Sequence, residues 1–349
     1  MFNIFKKKKE YGLGMGAVPD PIDARDYKYS EVAGAATLSD DEWKKGYDVE
    51  KELGFTIPFK NQGGTLSCTG QSGSYYVGVL DKKETGQYNE VSAKGYYSQV
   101  FLPDGGAYIR DVIKLTIGWG GIREKIVSSY MGGNLPTEDF VRDISWKNKE
   151  IDKAAGMLKA KEYRTIDNIS MDSVAMAIRD GCGCIIGLYV GNNGSWRTND
   201  PTPSTRTGGH AIYVGKFGVD ERGKYIATPN SWGERSADGL HPDRWQKLRE
   251  DYFNKTFMFS PWVILDAPNE TGGEDLNNPD VIKILREKEK KFVIEGTGVG
   301  RKGIIIDGKL REVSKDRESA SSIYVESNNG NGVTVGTNLF DKLPRGEKF

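Results

Sequence analysis

Three residues that together can run nucleophilic catalysis occur along this chain in a telling order. They are Cys68, closing Asn61-Gln62-Gly63-Gly64-Thr65-Leu66-Ser67-Cys68; His210, in Gly208-Gly209-His210-Ala211; and Asn230, opening Asn230-Ser231-Trp232-Gly233. A thiol becomes an effective nucleophile when an imidazole takes its proton. The imidazole in turn works when a third group holds its ring and its tautomer. An asparagine oxygen accepting from the ring N–H does that, although Asn230 also reads as a turn residue after Pro229. Gln62 lies six residues before Cys68, so its side-chain amide can join a backbone N–H in holding a developing oxyanion. Residues of these types are the parts of a thiol nucleophile, its base and its orienter.

The surroundings of each residue fit these roles. A helix is expected behind Cys68, through Gly70–Leu80, and its N-terminus favours a thiolate. Gly208 and Gly209 leave room beside His210 for other backbone or for substrate. Trp232 suits either core packing or shielding of a His210–Asn230 hydrogen bond from water. The other histidine, His241, sits in a turn-rich Gly239-Leu240-His241-Pro242 with no orienter at a useful spacing. The remaining cysteines, Cys182 and Cys184, are too close along an extended segment to bond each other well. Two cysteines and two histidines do not readily build a zinc centre, so no metal is expected.

Positioning these groups calls for helices first and strands later, an α+β order. Ile109, Val112, Ile113 and Ile117 recur at helical spacing over Tyr108–Trp119, and a short helix is expected over Ser173–Arg179. Cys184–Val190, Ala211–Gly215 and Tyr225–Thr228 read as strands. Residues 1–53 form an N-terminal extended arm, because Pro19 and Pro21 block helix and bias their predecessors to extended geometry. Residues 54–268 form the main domain, and 269–277, Gly- and Glu-rich, form a linker. Residues 278–349 form a small appendage: a charged helix over Pro279–Lys290, capped by Asn278, then a hairpin centred on Asp307-Gly308. Further strands are expected at Ser322–Val325 and Val333–Val335. The glycine-rich Gly296–Gly303 run precedes a β-type segment, not the helix a phosphate loop needs.

The blocks Asn61-Gln62-Gly63 with Ser67-Cys68, Gly208-Gly209-His210-Ala211 and Asn230-Ser231-Trp232-Gly233 resemble the signature blocks of the papain family of cysteine peptidases. The 142 residues separating Cys68 from His210 fall within the roughly 130–150 of that arrangement. The resemblance covers about residues 54–268, and the arm segment Pro19-Asp20-Pro21 to Arg25-Asp26-Tyr27 is similar to one in bacterial and phage members. It implies a papain-like two-lobed fold, a helical lobe carrying Cys68 and an antiparallel β-barrel-like lobe carrying His210 and Asn230. It further implies Cys68 as nucleophile, His210 as general base and acid, Asn230 as orienter and Gln62 as oxyanion amide, a thiol chemistry with no organic cofactor. Gly105-Gly106 are similar to the paired glycines along which a peptide backbone lies, and read equally as a turn after Pro103-Asp104. With Gly209 and Trp232 they form the expected substrate-binding set. Thr69 stands where the family usually has Trp, and Thr65 where many secreted members have Cys. No equivalent of an inhibitory prosegment is visible in residues 1–50.

Composition narrows the partners. Lys+Arg and Asp+Glu both total 49, so no net field favours nucleic acid. No apolar run is long enough for a membrane span, and the N-terminus lacks the pattern of a secretory signal, which points to the cytoplasm or to a phage-encoded or lysis-released protein. The expected substrate is a polypeptide. Two alternatives remain open: a peptidoglycan-cleaving cysteine hydrolase whose tail binds cell wall or a partner, and a catalytically silent papain-like binding module.

Overall fold

The computed structural model describes residues 14–34, 37–233 and 245–265, together with the backbone of four strands beyond residue 291. The chain divides into two compact units, Met1–Asp266 and Ala267–Phe349.

In the first unit the Cys68–Thr85 helix is the axis of the helical lobe, and it is buried from Cys68 to Asp81. Its small residues explain how a helix of low amphipathicity finds partners. A methyl group on Gly70 would come within 2.5 Å of the Ala93 carbonyl oxygen, and one on Gly73 within 2.4 Å of Val112 Cγ1. Those glycines therefore let the Ala93–Val100 and Ile109–Gly118 helices pack directly on its backbone. Ile109, Val112 and Ile113 form the buried stripe anticipated from their spacing. The Ala93–Val100 helix carries only a short pattern and is absent from the sequence reading; Ser92 caps it through Gly95 N–H.

The other lobe contains two four-stranded sheets. One runs Tyr163–Thr165, Met258–Ile264, Cys184–Gly191, Arg206–Val214, with every neighbour antiparallel. The second runs Tyr47–Asp48, Lys216–Asp220, Gly223–Thr228, Gln246–Leu248, again antiparallel throughout. Gly215 alone separates Arg206–Val214 from Lys216–Asp220, so the chain turns a corner between the sheets, which do not close into a barrel among the described residues. The period of two sorts the Cys184–Gly191 strand. Cys184, Ile186, Leu188 and Val190 join Val174 and Ile178 of the Met171–Gly181 helix, whereas Ile185 joins Tyr75, Tyr76 and Val79 of the long helix. A strand buried on both faces is thus clamped between the two helical layers, and the neighbouring strand carries His210.

Residues 14–29 are extended or turn-like as the prolines require, but Ser30–Ala33, Asp40–Lys45 and Val49–Leu53 are short helices on the sheet lobe. Here Trp43 meets Phe217 edge-on and donates to Asp172. The arm is accordingly shorter than residues 1–53. Cys182 occupies the left-handed position after the Met171–Gly181 helix (φ 56°) and Cys184 opens the next strand; both are free thiols in different clusters.

In the second unit Phe292–Thr297, Lys302–Ile306 and Lys309–Val313 form an antiparallel meander, with Ile306 opposite Lys309 as a two-residue hairpin requires. Val333–Gly336 pairs parallel with Phe292–Thr297. His241, the linker 269–277, the charged helix over Pro279–Lys290 and the strand at Ser322–Val325 lie outside the described residues.

Candidate active site

Cys68 is the first residue of the long helix and is fully buried. Its sulfur is surrounded by backbone N–H groups: those of Ala211, Gly16, Thr69 and its own. Amide hydrogens favour the thiolate, but burial outweighs them and pushes the Cys68 thiol above its ordinary value. Burial thus reverses the lowering anticipated from the helix N-terminus. The Ala211 amide also locates the next residue back, because the strand that aims it at the sulfur is the one carrying His210.

His210 Nε2 lies 2.9 Å from Asn230 Oδ1, with both side chains buried. The imidazole stacks on Trp232 (centroids 4.2 Å apart, planes 16° apart) and meets the edge of Trp196 at 6.0 Å. A hydrogen bond so covered is protected from competition by water. Asn230 has φ 53°, a left-handed conformation that asparagine tolerates better than most residues. Its N–H donates to Thr228 Oγ1 (2.9 Å) and the Ser231 N–H donates to its Oδ1 (2.6 Å).

Gln62 joins the nucleophile loop to the orienter loop. Its N–H donates to the Ser231 carbonyl (2.8 Å), the Ser231 hydroxyl donates to its Oε1 (2.6 Å), and Asn61 bridges Trp232. Its Nε2 donates to Thr65 O (2.7 Å) and to Gly14 O (3.1 Å). The Thr65 hydroxyl donates to Gln62 O and contacts Ser67 Oγ, both at 2.8 Å.

That Gly14 carbonyl belongs to the N-terminal arm, which runs through the site. Ala17–Val18 pairs in parallel with Ala107–Tyr108, and Ala107 N–H donates to Gly16 O at 2.8 Å. Trp232 Nε1 donates to Gly14 O at 3.3 Å. The expected substrate glycines line this segment from both sides. A methyl group on Gly106 would lie 2.1 Å from Gly16 O, and one on Gly209 would lie 2.1 Å from Ala17 O. Gly105, at φ 94°, faces Leu66 and Arg142 instead. Beyond the cleft Asp20 anchors the arm. It accepts from Trp262 Nε1 (2.7 Å) and Arg110 N–H (3.2 Å), while its own N–H donates to Ser260 Oγ (2.7 Å). Asp26 adds an ion pair with Arg110. No equivalent of an inhibitory prosegment is visible in the sequence of residues 1–50, yet the arm lies against the Cys68 loop, Gly106 and Gly209. That contact was invisible in sequence, because a peptide occupying a cleft uses mainly backbone groups, which every residue carries.

The sequence reading also missed Ser231, Thr228, Trp196 and Gln246. Ser231 lay inside a recognised block; the other three reach the site only through sheet pairing and loop packing.

No family model matches the chain, and no curated protein does. Among solved structures, xylellain, a cysteine protease from Xylella fastidiosa, is similar with TM-score 0.56 and 22% identity over 72% of this chain and 95% of that one. A procathepsin B from Trypanosoma congolense follows with TM-score 0.55 and 10% identity, covering 72% and 86%. Procathepsin L 3 of Tenebrio molitor larval midgut gives 0.51 and 13%, covering 73% and 76%. At these identities the likeness concerns architecture, and the architecture of this chain is that of papain-like cysteine proteases.

Proposed function

We propose that the chain is a cysteine endopeptidase acting through Cys68, His210 and Asn230, described here in a latent, self-covered form. One observation supports a polypeptide substrate above all. The cleft holds a polypeptide, residues 14–18, gripped through its backbone by Ala107 and Gln62 between two glycine walls. Backbone gripping is sequence-tolerant and suits peptide chains.

In the reaction His210 takes the Cys68 proton and the thiolate attacks the scissile carbonyl carbon. Gln62 Nε2 and the Cys68 N–H hold the oxyanion, and the Gly14 carbonyl stands in for that acceptor at Gln62. Collapse breaks the C–N bond as His210 gives its proton to the leaving amine, leaving a thioester. Water, losing a proton to His210, then releases the acid and the free thiol. The arm offers the sulfur the Gly16 N–H, where a substrate must offer a carbonyl carbon.

The test is labelling by an epoxide inhibitor of papain-type enzymes, read by intact mass and peptide mapping, alongside casein hydrolysis. Intact chain is expected to react slowly, and chain nicked within the arm quickly and at Cys68 alone. Cys68→Ala removes both labelling and turnover. Casein hydrolysis that persists in Cys68→Ala would refute the assignment.

A further inference from the structure

A residue from the far edge of the second sheet stands behind the His210–Asn230 hydrogen bond. Gln246 is 1% exposed and pairs across the sheet with Thr228, two residues before Asn230. Its Nε2 donates to two main-chain carbonyls, Trp196 O (3.1 Å) and Thr198 O (2.7 Å). Carbonyls only accept, so the Gln246 amide has one allowed orientation, with its oxygen toward Asn230. That oxygen receives Asn230 Nδ2 at 2.5 Å. Asn230 must then turn its own oxygen to His210 Nε2, and the ring must carry its hydrogen there. The remaining nitrogen, Nδ1, is left in the acceptor form needed to take a thiol proton.

We infer that Gln246 is a positioning residue, which relays the fixed polarity of the Trp196 and Thr198 carbonyls through Asn230 and so selects the Nε2–H tautomer of His210. The Ser231 N–H also reaches Asn230 Oδ1, so it is the competing device. The two differ in what they constrain: the Ser231 amide engages the oxygen alone, while Gln246 removes the reason for the NH2 group to turn elsewhere. Without it, that NH2 faces buried carbonyl-lined space or exchanges places with the oxygen, and a flipped amide offers the imidazole a donor.

The spectroscopic test needs no turnover. The chain has two histidines, so a His241→Gln background leaves His210 as the sole imidazole in a nitrogen-15 spectrum of the full-length protein. A single Nε2–H tautomer is expected for neutral His210. Gln246→Leu is expected to give a tautomer mixture or a shifted ring pair. Gln246→Glu, whose protonated carboxyl keeps one donor and one acceptor, is expected to restore the original pattern. Folded Gln246→Leu protein with an unchanged His210 tautomer would overturn the inference and assign the role to Ser231; if that variant does not fold, Gln246→Met carries the same comparison.

Kinetics provide a second readout, which rests on the peptidase reading. Gln246→Leu should slow epoxide labelling of Cys68 about tenfold in the otherwise native chain, and less than about twofold when Asn230 is already Ala. Equal losses in both backgrounds would mean a merely structural role. Absence of labelling in the native chain, before and after arm nicking, would count against the peptidase reading and leave the tautomer result standing.

Discussion

Asn230 concentrates several constraints in one residue. It must hold φ 53°, accept from His210 and Ser231, and donate to Gln246. Alanine at that position tolerates the left-handed backbone poorly and supplies neither oxygen nor NH2. Asn230→Ala is expected to lower kcat/KM for peptide hydrolysis by about 100-fold or more, within the range of a positioned acid–base group. Most of that loss should fall on kcat, since the proposed backbone grip lies at Ala107 and Gln62, away from Asn230. An unchanged kcat in folded variant protein would remove Asn230 from the reaction. Thr65 makes a related point at lower cost. Hydrogen bonds to Gln62 O and Ser67 Oγ shape the nucleophile loop, so no disulfide is needed there.

At the scale of elements, the arm segment is the decisive piece. Its hold on the cleft depends on backbone pairing, on the Asp26–Arg110 ion pair and on Asp20, whose carboxylate receives Trp262 Nε1 and Arg110 N–H. Hydrogen bonds to a charged group contribute about 1.5–3 kcal/mol each, so Asp20→Ala is expected to shift the arm about tenfold or more toward release. Faster epoxide labelling of intact chain is the measurement, and a rate equal to the native one would show that Asp20 does not hold the arm. Acid should act in the opposite direction through this residue. Burial raises the Asp20 pKa, so the docked arm binds a proton more tightly than the released one. Docking through Asp20 is strengthened as pH falls through the raised value toward the ordinary carboxyl value, and that gain is lost as pH rises back through the raised one.

Across the whole first unit, Cys68 is buried jointly by the helical lobe, the His210 strand and the arm. Its raised pKa is therefore a property of the closed assembly. In intact chain the rate of alkylation by a small neutral reagent should climb only as pH passes above the ordinary thiol range. Once the arm is nicked, water and the imidazole reach the sulfur and the same curve should move to lower pH. Superimposable curves before and after nicking would show that the arm does not desolvate the thiol. This expectation has the sign of a neutral acid favoured by burial: the closed form is relatively more stable below the ordinary thiol pKa and loses that advantage as pH rises through the raised one.

Local sequence by itself determined a good part of the fold. Glycine-rich small residues announced a closely packed helix behind Cys68, Ile109–Ile117 showed a helical stripe, and runs such as Cys184–Val190 showed strands, because periodicity and propensity act over a few residues. The residue types and order of Cys68, His210 and Asn230 were also legible, since their chemistry is carried by side chains. What tertiary structure decided were matters of encounter. Gln246 meets Asn230 only because Gly223–Thr228 and Gln246–Leu248 pair in one register. The arm meets Cys68 only because Gly106 and Gly209 leave a channel wide enough for bare backbone. Contacts made by backbone groups, or by side chains brought together across a sheet, leave no pattern in a linear chain, and here those contacts lay the arm along the Cys68 loop and bring Gln246 to Asn230.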